Sequence, residues 1–433
     1  MITSRRAPRV FVAVLIVAIM LTLVSTAAAK TTTRTVLDAV AEVPAPPMPT
    51  SVTARSATVI DAATGKALWS IRPTEQRLIA STTKIMTALV AIDRTTSNQH
   101  MTATDYAAAA AESQLGLRAG ERMMVKDLIA ALLLESANDA ADTLAVGAAG
   151  SRGAFVAAMN RRARELGLGK TIFGNPIGLD NPRTVSTASD LAKLTRAAMK
   201  EPRFADIVRR RRATLRSGDK VRRIGNRNTL VGKYRYVDGV KTGHTNRAGY
   251  LLVGSATKRD ARVISVVMGA PSIAARDRDS LKILRFGREF FKPVDAVSKS
   301  RQLIKLPVKL QDVTAAVYPR RNIGFALADG ERYAVTLRAP EELEGPLAAG
   351  TRVGTATVTR NGKQVAQTAV TIRDAIEEPP IGAVVLDFLR RMLPLLAGLA
   401  IVFMLGLIFL RRRSAARSQS VRRVGEVRAE PGK

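Results

Sequence analysis

The chain has 433 residues, 46% of them hydrophobic, so it is long enough for two or three domains with sizeable cores. It contains no cysteine and only two histidines, His100 and His244, which excludes disulfides and cysteine nucleophiles and argues against a metal site. We therefore expect no metal and no cofactor. The net charge of +32 favours an anionic partner, such as nucleic acid, anionic lipid or an acidic polymer.

Residues 1–29 have the organisation of a secretory signal peptide. Three arginines within residues 1–10 precede the apolar run FVAVLIVAIMLTLV, and an Ala-x-Ala pattern ends at Ala29, where we expect cleavage. An uncleaved anchor is the alternative, although a helix of this run would span only about 21 Å. Residues 30–50 contain the proline-rich segment AEVPAPPMPT and are predicted to be a linker.

Residues 51–292 alternate between strand-like and helical patterns, which indicates an α/β domain whose helices interrupt a sheet. A hairpin is expected at 56–72, and strands around two turns at 236–270. The segment 171–186 is rich in Gly, Pro and Asn and is predicted to be a structured loop. The ranges with a helical pattern are 81–94, 105–115, 123–149, 153–168, 187–200 and 276–291.

The last third of the chain changes character. Short β-rich runs at 298–376 predict a small all-β domain, followed by a juxtamembrane linker at 377–391. Residues 392–410 carry no charge and would span roughly 28 Å as a transmembrane helix. The basic tail at 411–433 should be cytoplasmic and the rest of the mature chain extracytoplasmic, on a single-pass membrane protein. Nucleic acid is then not an expected partner.

Three Ser-x-x-Lys sequences occur, and only their context separates them: Ser81–Lys84, Ser217–Lys220 and Ser255–Lys258. Ser81 alone opens an apolar-periodic helix, where a spacing of three stacks both side chains on one face. Free N–H groups at a helix start also favour developing negative charge. On this motif alone, an ordinary helix N-cap is the better explanation of Ser81.

Two further motifs favour a nucleophile at Ser81. Ser136-x-Asn138 and Lys241-Thr242-Gly243 each occur once, and they follow the Ser-x-x-Lys motif in a known catalytic order. Together with these motifs, four stretches resemble the low-molecular-mass penicillin-binding proteins, the serine-type D-alanyl-D-alanine carboxypeptidases. The stretches are ASTTKIMTALV, LLLESANDAADTLA, FGNPIGLDNPRTVSTASDLAKL and DGVKTGHTNRAGYLLVGSATKRDARVISVVMGAPS.

The resemblance covers about residues 51–290 and continues more weakly into the β-rich region. It implies a serine β-lactamase/transpeptidase-like domain, formed by a sheet with a helical subdomain, before the small all-β domain and the transmembrane helix. It also implies that Ser81 attacks the penultimate D-alanine of a stem peptide, with neutral Lys84 as base and Ser136 as proton relay. The substrate-binding residues it implies are Asn138, Lys241, Thr242, Gly243 and His244, with the backbone N–H groups of Ser81 and His244 as oxyanion hole.

The expected function is removal of the terminal D-alanine from peptidoglycan stem pentapeptides, with β-lactams as covalent inhibitors. Three alternatives stay open: a D,D-endopeptidase of cross-links, a class A-like β-lactamase, and a non-catalytic wall-binding scaffold. The attached β domain favours the carboxypeptidase. The loop at 171–186 has no glutamate to activate a deacylating water, which counts against the β-lactamase. The intact motifs count against the scaffold.

Overall fold

The computed structural model describes residues 31–109 and 111–426, so the predicted signal peptide at 1–29 lies outside the described residues. The strands are β1 Thr31–Val40, β2 Ser56–Asp61, β3 Ala67–Ile71, β4 Arg77–Leu78, β5 His100–Thr102, β6 Arg122–Met124, β7 Val185–Ser186, β8 Arg212–Leu215, β9 Arg222–Gly225, β10 Val237–Thr245, β11 Gly249–Lys258, β12 Ala261–Ala270, β13 Phe291–Val297, β14 Ile304–Pro307, β15 Thr314–Pro319, β16 Ile323–Ala328, β17 Arg332–Pro340, β18 Arg352–Arg360 and β19 Lys363–Ile372. The helices are α1 Lys84–Arg94, α2 Val125–Ala130, α3 Asn138–Ala149, α4 Arg152–Glu165, α5 Ala188–Ala198, α6 Pro202–Val208, α7 Ile273–Glu289 and α8 Ile381–Glu426.

A five-stranded antiparallel sheet lies at the centre of the first compact unit, which contains Ala39–Asp295 and Gly324–Arg332. Its order is β10-β11-β12-β2-β3, so the predicted hairpin at 56–72 joins strands from the far end of the region. Both faces of the sheet are buried. Alternate residues of β12 enter two apolar clusters, with Val263 in one and Ile264 in the other, as the period of a strand requires.

Helix α1 lies inside the helical subdomain because its sequence is apolar all round. Every residue from Lys84 to Ile92 is buried, and the helix packs against α3, α4 and α5. A helix without a polar face belongs in a core. The helix predicted from Ser81 to about Arg94 is therefore confirmed, with one difference: its start is a 3₁₀ turn, Ala80–Thr83.

The helix predicted at 105–115 is wrong, since the described residues of this segment form no helix. Alanine-rich composition favours a helix, but here tertiary contacts determine the backbone conformation. Asp139 at the start of α3 accepts hydrogen bonds from the backbone N–H groups of Leu115, Gly116 and Leu117, at 2.8–3.1 Å. The N–H of Leu115, the last residue of the predicted helix, therefore faces α3 instead of an intrahelical carbonyl, as do the two N–H groups that follow it.

A six-stranded sheet lies in the second unit, which contains Ala296–Ile323 and the described residues of the ranges 1–38 and 333–433. Its order is β1-β17-β18-β19-β15-β14, in line with the all-β region predicted from composition. The prediction of a linker over 30–50 is wrong in its first half, because Thr31–Val40 form an edge strand. Six of these ten residues are threonine or valine, which favour strands, and the prolines begin only afterwards.

Helix α8 begins at Ile381, before the predicted transmembrane start at 392, so the predicted juxtamembrane linker is partly helical. Its stretch Ile381–Phe409 has 29 residues and contains an 18-residue window with a mean hydropathy of 2.6, none of which is buried. By length and composition this helix can cross a membrane.

Candidate active site

Ser81 lies in the 3₁₀ turn between β4 and α1, and its side chain makes no helix cap there. The turn is held tightly by two glycines from other segments. A Cβ on Gly178, whose φ is +85°, would lie 2.0 Å from the carbonyl oxygen of Ala80. A Cβ on Gly243 would lie 3.2 Å from the carbonyl oxygen of Ile79. Strand β10 and the loop at 171–186 therefore both pack directly on the turn that carries Ser81.

Lys84 is fully buried and its Nζ has three partners. Nζ lies 3.1 Å from Ser81 Oγ, 2.6 Å from Asn138 Oδ1 and 2.5 Å from the carbonyl oxygen of Ile177. Two of these partners are carbonyl-type oxygens that can only accept. A neutral amine has two N–H groups and one lone pair, so in that state both N–H groups serve the carbonyls and the lone pair faces Ser81 Oγ.

The surroundings of Lys84 favour this neutral state. Burial holds the pKa of Lys84 well below its usual value, and the cation of Lys241 lowers that pKa further. The carboxylates of Glu112 and Asp139 act in the opposite direction, and Arg227 adds a smaller lowering effect.

Ser136 and Asn138 lie where a π-helical turn, Ala131–Glu135, ends and α3 begins. Ser136 takes a left-handed conformation with φ 65°, and both side chains are buried. Asn138 is fixed at three atoms: Oδ1 accepts from Lys84, Nδ2 donates to Glu112 at 2.6 Å, and the backbone N–H donates to Ser113 O at 2.8 Å. The backbone break between two helical segments thus places Asn138 against Lys84.

The Lys-Thr-Gly motif lies on the edge strand β10, which pairs with β11. Lys241 is buried, and its Nζ donates to Thr242 O at 3.0 Å. Burial is the largest cause that lowers the pKa of Lys241 to about 7, and Arg227 and Arg276 contribute because like charges disfavour another cation. The imidazole of His244 is exposed and stacks on Tyr250, with 4.0 Å between the ring centroids.

Sequence reasoning missed several residues that the fold brings to this cluster. Glu112 and Tyr106 come from the segment wrongly predicted to be helical, and Tyr106 OH donates to Glu112 Oε2 at 2.5 Å. Ile177 contributes a backbone carbonyl, which no motif search detects. The only sequence signal was the Gly, Pro and Asn content of its loop. In the structure, Asn175 Oδ1 accepts from the N–H groups of Ile177 and Gly178, at 3.1 and 2.6 Å.

Comparisons with known proteins agree with this fold and arrangement. The structure is similar to that of penicillin binding protein 5 from Haemophilus influenzae, with a TM-score of 0.54 and 27% identity, covering 77% of this chain and 100% of that one. It is also similar to the Streptomyces K15 DD-transpeptidase, with a TM-score of 0.53 and 31% identity, covering 55% and 98%. The fold is thus that of the penicillin-binding serine peptidases.

The sequence comparisons identify the family more narrowly. Residues 41–272, more than half of the chain, match the profile of the family Peptidase_S11, described as D-alanyl-D-alanine carboxypeptidase. The chain is 33% identical over 355 residues to the D-alanyl-D-alanine carboxypeptidase DacC of Escherichia coli strain K12, covering 78% of this chain and 88% of that protein. The chain belongs to the D-alanyl-D-alanine carboxypeptidase family of serine peptidases.

Proposed function

We propose that Ser81 is the residue through which this D-alanyl-D-alanine carboxypeptidase forms its acyl-enzyme. The observation that carries the proposal is the contact of Ser81 Oγ with the buried Lys84 Nζ at 3.1 Å. A hydroxyl becomes a good nucleophile when a neutral base lies within hydrogen-bond reach. The proposed substrate is a peptidoglycan stem peptide that ends in D-Ala-D-Ala, and β-lactams are proposed to acylate the same oxygen.

The proposed reaction has two steps. Ser81 Oγ bonds to the carbonyl carbon of the penultimate D-alanine while its proton passes to Lys84 Nζ. The bond to the terminal D-alanine then breaks, and a proton passes to the leaving amine, with Ser136 as the proposed relay. Water then hydrolyses the ester, which restores the Ser81 hydroxyl and releases the shortened peptide.

The remaining residues have proposed binding roles. Lys241 and Thr242 bind the terminal carboxylate of the substrate, in a field that Arg227 and Arg276 already make positive. An incoming carboxylate favours the charged form of Lys241, so binding would raise its pKa again. The backbone N–H groups of Ser81 and His244 form the oxyanion hole, which the close approach of Gly243 to the turn before Ser81 supports. Asn138 orients Lys84 and a substrate amide.

We propose further that the chain is anchored by the apolar part of α8, with its basic end in the cytoplasm and the peptidase outside. The support is the length and hydropathy of Ile381–Phe409 and the arginines at 411–413 that follow it. This topology would place Ser81 on the side of the membrane where peptidoglycan lies.

Labelled penicillin tests the nucleophile directly. The full chain in detergent should form a covalent adduct, and Ser81→Ala should abolish it. Ser255→Ala is the matched control, because Ser255 also begins a Ser-x-x-Lys sequence but is buried on β11, with no hydrogen-bond partner for its Oγ in the described structure. Labelling of Ser81→Ala would show that the nucleophile is another residue.

Mass measurement of the products tests the reaction. Incubation with a stem pentapeptide should release one alanine. Cleavage of a cross-linked dimer instead would favour the endopeptidase, and turnover of neither substrate would favour the scaffold. The similarity to the K15 DD-transpeptidase makes acyl transfer a second candidate. An added amine acceptor would then appear in the product at the expense of the hydrolysed peptide.

A further inference from the structure

Glu112 is a carboxylate next to the proposed catalytic pair, and none of the three motifs contains it. Oε2 accepts from Asn138 Nδ2 at 2.6 Å and from Tyr106 OH at 2.5 Å, while Oε1 accepts from the N–H of Ala109 at 3.1 Å. Burial raises the pKa of Glu112, but the bonds from Tyr106, Asn138 and Ala109 outweigh burial and hold it below its usual value. Glu112 is therefore ionised and fixed from three sides at neutral pH.

An ionised carboxylate can only accept hydrogen bonds, and this determines the orientation of the neighbouring amide. Asn138 has an oxygen on one side of its amide and an NH₂ group on the other. With Glu112 in place the NH₂ group must face the carboxylate, so Oδ1 faces Lys84 Nζ at 2.6 Å. The reverse orientation would place the NH₂ group against the amine of Lys84 and two acceptor oxygens against each other.

We propose that Glu112, held by Tyr106, is a positioning residue: it fixes the Asn138 amide so that Lys84 Nζ stays against Ser81 Oγ. This inference rests on the proposed roles of Ser81 and Lys84. The order of contacts is Glu112 to Asn138 to Lys84 to Ser81, and each distance lies within hydrogen-bond range. Glu112 thus acts through Asn138 and does not itself touch the nucleophile.

The charge of Glu112 has a second, measurable effect on Lys84. The charged groups that affect Lys84 are Lys241 and Arg227, which lower its pKa, and Glu112 and Asp139, which raise it. Removing the negative charge of Glu112 therefore lowers the pKa of Lys84 further. Acylation requires neutral Lys84, so its rate falls as pH drops through this pKa. This fall is the acidic limb of the pH–rate profile, and in Glu112→Gln it should lie at lower pH than in the unchanged chain.

The experiment measures acylation of the full chain by labelled penicillin across pH, together with the fraction of chains that label. Glu112→Gln keeps the size of the side chain but lets either end of the Asn138 amide face it, so the plateau rate should fall about ten-fold. Glu112→Asp keeps the charge but shortens the reach, so its rate should fall without a comparable shift of the limb. Glu165→Gln, an exposed glutamate on α4 with a surface ion pair, is the control and should match the unchanged chain.

The inference requires both changes in Glu112→Gln, a lower plateau rate and an acidic limb at lower pH. A lower rate without a shift of the acidic limb of the pH profile would mean that Glu112 has only a structural role. An unchanged rate would mean that Glu112 does not position Lys84 through Asn138. Either result overturns the proposal. Ser81→Ala, measured in parallel, separates this failure from a failure of the proposed function, because labelling of that variant would refute the nucleophile itself.

Discussion

The proposed chemistry of this site depends mainly on one buried side chain, that of Lys84. Its amine is surrounded by two carbonyl-type acceptors and one hydroxyl, a set that suits either a charged ammonium or a neutral amine with its lone pair on Ser81. Burial and Lys241 favour the neutral form. These surroundings suit Lys84 to its proposed role as the base before any substrate binds.

Lys84→Arg should remove the neutral base, because a guanidinium is not deprotonated in proteins. The acylation rate by labelled penicillin should fall roughly 10²–10⁴-fold, the usual contribution of a positioned general base. In the unchanged chain the rate should rise with pH through the lowered pKa of Lys84, since the neutral form is the active one above that pKa. A Lys84→Arg chain that acylates at the original rate with the original pH profile would exclude Lys84 as the base.

At the level of residues, the sequence was sufficient to predict which side chains meet where a motif has a fixed spacing along the chain. Ser81 and Lys84 are three positions apart, and the structure brings them into contact. Glu112 and the carbonyl of Ile177 escaped detection for a physical reason. Each reaches the site from a segment without regular secondary structure, so no periodicity indicates where its atoms point.

The elements around the site show where periodicity succeeds and where it fails. The hairpin at 56–72, the strands at 236–270 and the helix α1 follow from their apolar patterns, because burial decides each of them. The segment at 105–115 does not, because its alanines permit a helix while the Glu112 side chain accepts from the N–H of Ala109 and Asp139 accepts from the N–H of Leu115. A propensity of a fraction of a kcal/mol per residue is overridden by such contacts.

The loop at 171–186 holds the turn that carries Ser81, and Gly178 is its point of contact. Gly178→Ala would place a methyl group 2.0 Å from the Ala80 carbonyl oxygen, at a φ of +85° that side chains rarely adopt. The turn must shift, so the acylation rate should fall by roughly 10²-fold, as expected when reacting groups are misplaced by about 1 Å.

Gly169→Ala is the matched control for this substitution. It lies just before the same loop, with open space around an added Cβ, and should acylate like the unchanged chain. Equal acylation rates in the two variants would mean that the loop does not hold the nucleophile in place.

At the scale of the whole molecule, the peptidase unit and the apolar helix are separable in sequence. A chain that ends before Ile381 lacks the part of α8 that can cross a membrane but keeps every proposed site residue. It should be released from membrane vesicles into the soluble fraction and should still be acylated by labelled penicillin. Retention on salt-washed vesicles would indicate a second attachment to the membrane.

The succession of an α/β region, a β-rich region and an apolar helix could be predicted from composition and pattern, but the beginning of the described chain and the segment just before the apolar stretch could not. Prolines at 44–49 dominate the segment 30–50 and predicted a linker, yet the threonine-rich residues before them form β1. No local pattern reveals which partner an edge strand will choose. β1 lies beside β17, a strand from a distant part of the sequence, Arg332–Pro340.

That pairing has a consequence for the order of assembly. β1 is synthesised first among the described elements, but its neighbour β17 emerges about 300 residues later, so this ladder is among the last that can close. Until then both partners present unpaired N–H and C=O groups, the kind of edge on which extended chains associate. The chain can therefore form its peptidase core while its first strand is still unpaired, and growth conditions that slow synthesis would lengthen the period in which that strand can pair with a wrong partner.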